Sequence, residues 1–134
     1  MTAVICVEDR GGVLFLGRRV SRDIEVIRDI SRICSRILVT EYSRALFDGI
    51  EIDAVVCRSL FKEAKSTDTL FVENGEIREN LAKITRLIIY KWNRTYPSDV
   101  KLGFCPEDEG LKLTSTVDFP GKSHEKITRE VYER

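Results

Sequence analysis

Apolar and polar positions are most regularly arranged between Thr69 and Trp92. Thr69-Leu70-Phe71-Val72 is apolar enough to lie inside a sheet, and Asn74-Gly75, which tolerate positive φ, end it. Ile77, Leu81 and Ile84 follow at i, i+4 and i+7 among charged residues, the stripe of a short helix. Arg86-Leu87-Ile88-Ile89-Tyr90 then reads as a second buried strand. Strand, turn, helix and strand make a βαβ unit with parallel strands and a right-handed crossover. In such sheets ligands bind beyond the carboxyl end of the first strand.

The same reading extends in both directions. Thr2 to Val7 is a near-continuous apolar run, as expected of a central strand covered on both faces. After the glycine turn at Gly11-Gly12, Val13 to Leu16 is either a strand or an ordered loop. Ser21 is the expected N-cap of a helix running to about Cys34, with Ile24, Ile27, Ile30 and Ile33 spaced three apart. Arg36 to Thr40 reads as a strand, Glu41 to Phe47 as a two-turn helix stopped by Asp48-Gly49, and Ala54 to Cys57 as a strand. Ser59 caps a short helix through Ala64, and Val100 to Leu102 pairs briefly. Two alternating runs, Leu111 to Val117 and Ile127 to Val131, predict an antiparallel hairpin. The expectation is an α/β fold in one domain spanning residues 1–134, with a mostly parallel central sheet and a C-terminal antiparallel hairpin.

Composition narrows the function. Formal net charge is zero, which argues against a nucleic-acid binder, whose footprint is basic. No apolar run approaches the length of a membrane span, and the first residues do not make a signal peptide, so no membrane partner and a cytoplasmic setting are expected. The four cysteines form no CxxC pair and read as reduced thiols.

Asp23 is the candidate acid. It lies beside the isoleucine stripe with Arg18, Arg19 and Arg22 close in sequence, a setting for proton transfer or for gripping a cationic heterocycle. A carboxylate there also suits the helix dipole with no further role. His124 is the only histidine and reads as a loop residue. A triad using Ser123 is disfavoured because adjacent side chains of an extended segment point to opposite faces. Neither Gly11-Gly12 nor Asn74-Gly75 has a phosphate-loop pattern.

The order strand, turn, Asp-bearing helix, strand, short helix, βαβ and closing hairpin resembles dihydrofolate reductase, which implies its three-layer fold. The run from Asp23 to Leu46 fits without gaps the reductase segment carrying the active-site acid, and Asp23 falls on that acid. The resemblance also sets Ile5, Cys6, Val7, Ile24, Ile27 and Leu46 on pocket-lining positions of the pterin site, with Val72 and Tyr90. It departs on the cofactor side. The glycine pair that admits the cofactor pyrophosphate is here Glu73-Asn74, and the tryptophan five residues before the acid is Arg18. The segment between Phe47 and Thr69 is too short for all the elements that hold the adenine end of NADPH.

Two stretches, Arg18 to Asp23 and Gly121 to Tyr132, also resemble small bacterial proteins sometimes named ribonuclease Z. A single histidine does not supply the histidine-rich two-metal site that name requires.

Together these readings imply a dihydrofolate reductase-like domain that binds a pterin- or nucleobase-like ligand. Asp23 anchors the ligand, Arg18, Arg19 or Arg22 meets its anionic part, and reductase activity is lost. The cofactor stays open. A divergent NAD(P)H-dependent reductase and a non-enzymatic protein or RNA interaction domain are the alternatives.

Overall fold

The computed structural model describes residues 1–134. In chain order the strands and helices are β1 (Thr2–Val7), β2 (Gly12–Phe15), β3 (Arg18–Arg19), α1 (Ile24–Ile33), β4 (Arg36–Val39) and α2 (Glu41–Arg44). They continue as β5 (Asp53–Val56), α3 (Leu60–Glu63), β6 (Thr69–Phe71), β7 (Arg86–Lys91), β8 (Val100–Lys101), β9 (Lys112–Phe119) and β10 (Ile127–Glu133). Short 3-10 helices cover Ala45–Phe47, Arg78–Lys83 and Pro106–Glu109.

Seven strands form the main sheet in the order β5-β4-β6-β1-β7-β10-β9. The first five run parallel, and β10 joins β7 antiparallel and carries β9 as the hairpin partner. The expected βαβ unit is therefore present with β1 between its two strands. Ala3, Val4 and Ile5 have no exposure at all, which is why β1 is apolar without alternation. Its side chains still alternate between layers. Ala3, Ile5 and Val7 join one core with Leu70, Val72, Leu87 and Ile89, whereas Val4 and Cys6 face the other with Phe71, Ile88 and Tyr90.

Helix α1 covers the second face. Val26, Ile27 and Ile30 are buried there, each contributing about 1.5–3 kcal/mol of apolar burial. The helix starts two residues later than Ser21 predicts, because Asp23 is the N-cap and its carboxylate accepts from the Glu25 N–H. The segment after Gly75 is a 3-10 helix rather than an α-helix, with Ile77 and Ile84 buried just beyond its ends. The tighter winding advances about 2.0 Å per residue against 1.5 Å, so the same residues reach further between the two anchors.

The two-turn helix expected over Glu41 to Phe47 divides into α2, capped by Thr40, and the 3-10 turn Ala45–Phe47. Ser59 precedes α3 without a side-chain cap, and its N–H instead donates to Glu63 Oε2 at 2.7 Å. Val13 to Phe15 is strand, paired with β3 and β8 in a separate three-stranded sheet. No helix is long and apolar enough to cross a membrane.

Candidate functional site

A cleft of about 530 Å³ opens at the carboxyl ends of β1 and β6, within the size range of small-molecule sites. Its apolar wall is Ile24 and Ile27 of α1, Ala45 and Leu46 of the following 3-10 turn, and Phe71 and Trp92 from the sheet. Cys6, Arg19 and Glu73 also line it, and Ser21, Arg22, Lys122 and Ser123 form the polar side. Neither Arg22 nor Lys122 takes part in an ion pair, and the carboxylate of Asp48, also without one, lines the cleft with them.

Asp23 borders the cleft, but its side chain has 0% exposure. Oδ1 accepts from the Glu25 and Lys122 N–H groups, both at 2.9 Å. Oδ2 accepts from Ser123 N–H at 2.9 Å, Ser123 Oγ at 3.2 Å and His124 Nδ1 at 2.9 Å. Five donors fill the roughly four lone-pair sites of a carboxylate. Burial pushes this carboxyl up, yet the N–H groups of Lys122, Glu25 and Ser123 and the His124 imidazole outweigh it and hold the group well below the usual carboxylate range. Asp23 is thus ionised, with its acceptor sites engaged by donors of the protein itself.

The close approach of the loop depends on Gly121. A Cβ there would lie 2.6 Å from Asp23 Oδ2 and 2.8 Å from the His124 carbonyl oxygen. Gly121 N–H donates to that same carbonyl, so the segment turns instead of extending. This turn is why Ser123 and His124 reach Asp23 together, against the expectation drawn from an extended geometry. His124 is 4% exposed, and its ring stacks on Trp92 with centroids 4.7 Å apart. On its far side Nε2 lies 2.9 Å from both Ser21 Oγ and Tyr96 Oη.

At the exit of β6, Glu73 forms a bidentate pair with Arg19, Nε to Oε2 at 2.8 Å and a terminal nitrogen to Oε1 at 2.9 Å. The buried Ser43 hydroxyl donates to Oε1 at 2.7 Å, and the Arg19 guanidinium lies over the Tyr42 ring. Burial, with Glu73 nearby, pushes the Cys6 thiol far up. It is not a thiolate nucleophile.

Of the residues expected from sequence, Cys6, Arg19, Arg22, Asp23, Ile24, Ile27 and Leu46 border the cleft. Five do not. Ile5, Val7 and Val72 point into the opposite core because strand side chains alternate. Tyr90 lies under α1 with no exposure and donates to Asp29 Oδ2 at 2.7 Å, an acceptor that Arg129 also meets at 2.7 Å. Arg18 lies outside the cleft, in a separate depression with Phe15, Leu16 and Pro97 that Arg19 also borders. Sequence reading missed His124, Tyr96, Trp92 and the polar function of Ser21. The available signal was that Arg18 to Asp23 and Gly121 to Tyr132, singled out together, are the two segments that meet here.

Over 99% of this chain and 95% of its counterpart, the structure matches a dihydrofolate reductase from Enterococcus faecalis complexed with NADP(H) and RAB-propyl, with a TM-score of 0.69 and 12% identity. The fold is that of dihydrofolate reductase. No protein-family model matches the sequence, and no curated protein does. In this chain the Asp23 carboxylate, at the start of the first helix, is spent on the loop from Gly121 to His124.

Proposed function

We propose that this dihydrofolate reductase-like domain binds a small planar heterocycle, pterin- or nucleobase-like, and does not carry out NADPH-dependent reduction. The observation that supports it is the cleft itself, an apolar slot at the carboxyl ends of two parallel strands with Arg22 and Lys122 on its polar side. The heterocycle lies between Ile24, Ile27 and Leu46 and the Phe71 and Trp92 side. Arg22 and Lys122 meet an anionic substituent, and Asp23 acts indirectly by holding Lys122 and Ser123 in place. The Arg19–Glu73 pair occupies the exit of β6 with side chains where a dinucleotide needs close backbone approach.

A thermal-shift panel of pterins, folates, nucleobases, flavins, NADH and NADPH tests the proposal. A ligand at a hundred times its dissociation constant stabilises the fold by about 2.7 kcal/mol. A shift with pterins or nucleobases alone is the expected result. A shift with NADPH or NADH refutes the non-reductase reading, and silence across the panel refutes the heterocycle site.

A further inference from the structure

We infer that Ser21, His124 and Asp23 form a nucleophile, base and acid triad that opens into the cleft and cleaves small carboxylic esters. Ser21 and Asp23, two residues apart in a segment that is extended at Asp23, both reach the His124 imidazole. Its Nδ1 lies 2.9 Å from Asp23 Oδ2 and its Nε2 2.9 Å from Ser21 Oγ. The carboxylate, an acceptor only, fixes the ring proton on Nδ1 and leaves the Nε2 lone pair toward the hydroxyl. Trp92 holds the ring plane from one side, and Asp23 is itself held by three backbone N–H groups. Each member is thereby oriented by the next, the relation that nucleophilic catalysis requires. Ser21 lines the cleft and the buried Asp23 borders it, whereas His124 lies behind them.

The chemistry closes with water as the only co-reactant. Ser21 Oγ forms a bond to the ester carbonyl carbon while its proton passes to His124 Nε2. The tetrahedral oxyanion collapses, the bond to the leaving alkoxide breaks, and that alkoxide takes the proton from Nε2. Water then attacks the acyl-serine, gives a proton to Nε2, and collapse returns the proton to Ser21 and releases the acid. Arg22, next to the nucleophile, has a backbone N–H with no protein partner, a donor available to the developing oxyanion. The acyl group suits the Ile24, Ile27 and Leu46 wall, and an anionic substituent suits Arg22 and Lys122.

Tyr96 Oη also reaches Nε2 and competes with Ser21 for its lone pair, which supplies a discriminating variant. A fluorophosphonate probe followed by intact-mass and peptide analysis is the test, with p-nitrophenyl butyrate hydrolysis as the turnover readout. The expected result is one adduct per folded chain, on Ser21, absent in Ser21→Ala and retained in Tyr96→Phe. Ser21→Ala should also lower ester hydrolysis by about a hundredfold, the lower range for loss of a base-assisted step. No adduct on the wild-type chain, an adduct on Tyr96, or one that survives Ser21→Ala overturns the inference. The inference shares the cleft with the heterocycle proposal but not its ligand. Pterin binding without an adduct removes the triad alone, and an adduct without any thermal shift removes the heterocycle site alone.

Discussion

Asp23→Asn isolates what the buried carboxylate does. In the wild type, Oδ1 serves Glu25 and Lys122 N–H, and Oδ2 serves Ser123 N–H, Ser123 Oγ and His124 Nδ1. Whichever way the amide is turned, its NH₂ faces donors. On the Oδ1 side two backbone N–H groups lose their acceptor. On the Oδ2 side Ser123 N–H loses its own, and His124 must change tautomer to keep a bond. An unsatisfied buried donor costs about 1–3 kcal/mol, and loss of the charge weakens every remaining bond, so the expected destabilisation is about 3 kcal/mol. For a chain of this size that is a fall in Tm of about 10 °C. Urea denaturation followed by circular dichroism measures it. Asp23→Ser supplies the comparison, since serine caps helices about as well as aspartate but cannot reach the loop donors. A serine variant as stable as wild type would reduce Asp23 to a helix cap. A loss below about 1 kcal/mol in Asp23→Asn would show that the five contacts do not act as a buried anchor.

Three further outcomes follow from the same geometry. Because the folded-state carboxyl of Asp23 is depressed, its contribution is complete above the unfolded value of about 3.9 and drains away as pH falls toward the folded one; wild-type and Asp23→Asn urea midpoints should therefore converge below about pH 4 and stay apart above it. Gly121→Ala would press a Cβ to 2.6 Å from Asp23 Oδ2 and 2.8 Å from Ile127 Cδ1, and thermal melting should register a loss of about 1–3 kcal/mol, with a neutral result refuting the close approach. Cys6, Cys34 and Cys57 have thiols pushed up by burial, and Cys105 is exposed, so Ellman's reagent should react rapidly with one thiol in the native protein and with all four after unfolding.

The fold was legible because its signals are local. The apolar run of β1, the isoleucine spacing of α1 and the alternation of β9 and β10 each follow from one element's periodicity and its burial. Where length set the outcome, periodicity misled: Ile77, Leu81 and Ile84 read as an α-helical stripe although the segment is wound as a 3-10 helix. The cleft's lining was legible at Cys6, Arg19, Arg22, Asp23 and Leu46 and along α1. Ile5, Val7 and Val72 were assigned to the cleft by position in the chain, whereas the sheet's pleat turns them away. His124 stayed hidden because its role depends on a turn whose only local mark is Gly121, and on partners about a hundred residues away.

That separation has a bearing on how the chain comes together. The start of α1 is completed by residues 121–124, and β10, which follows them, is inserted between β7 and β9 rather than added at an edge. During synthesis the Asp23 carboxylate that caps the first helix therefore waits without its loop donors until nearly the whole sheet has been made. Assembly must close a loop of about a hundred residues before the cleft has both walls, an entropic cost that sets in early and is repaid late. The cleft is thus a feature of the finished molecule alone, and a partly made chain has no means of holding a ligand there.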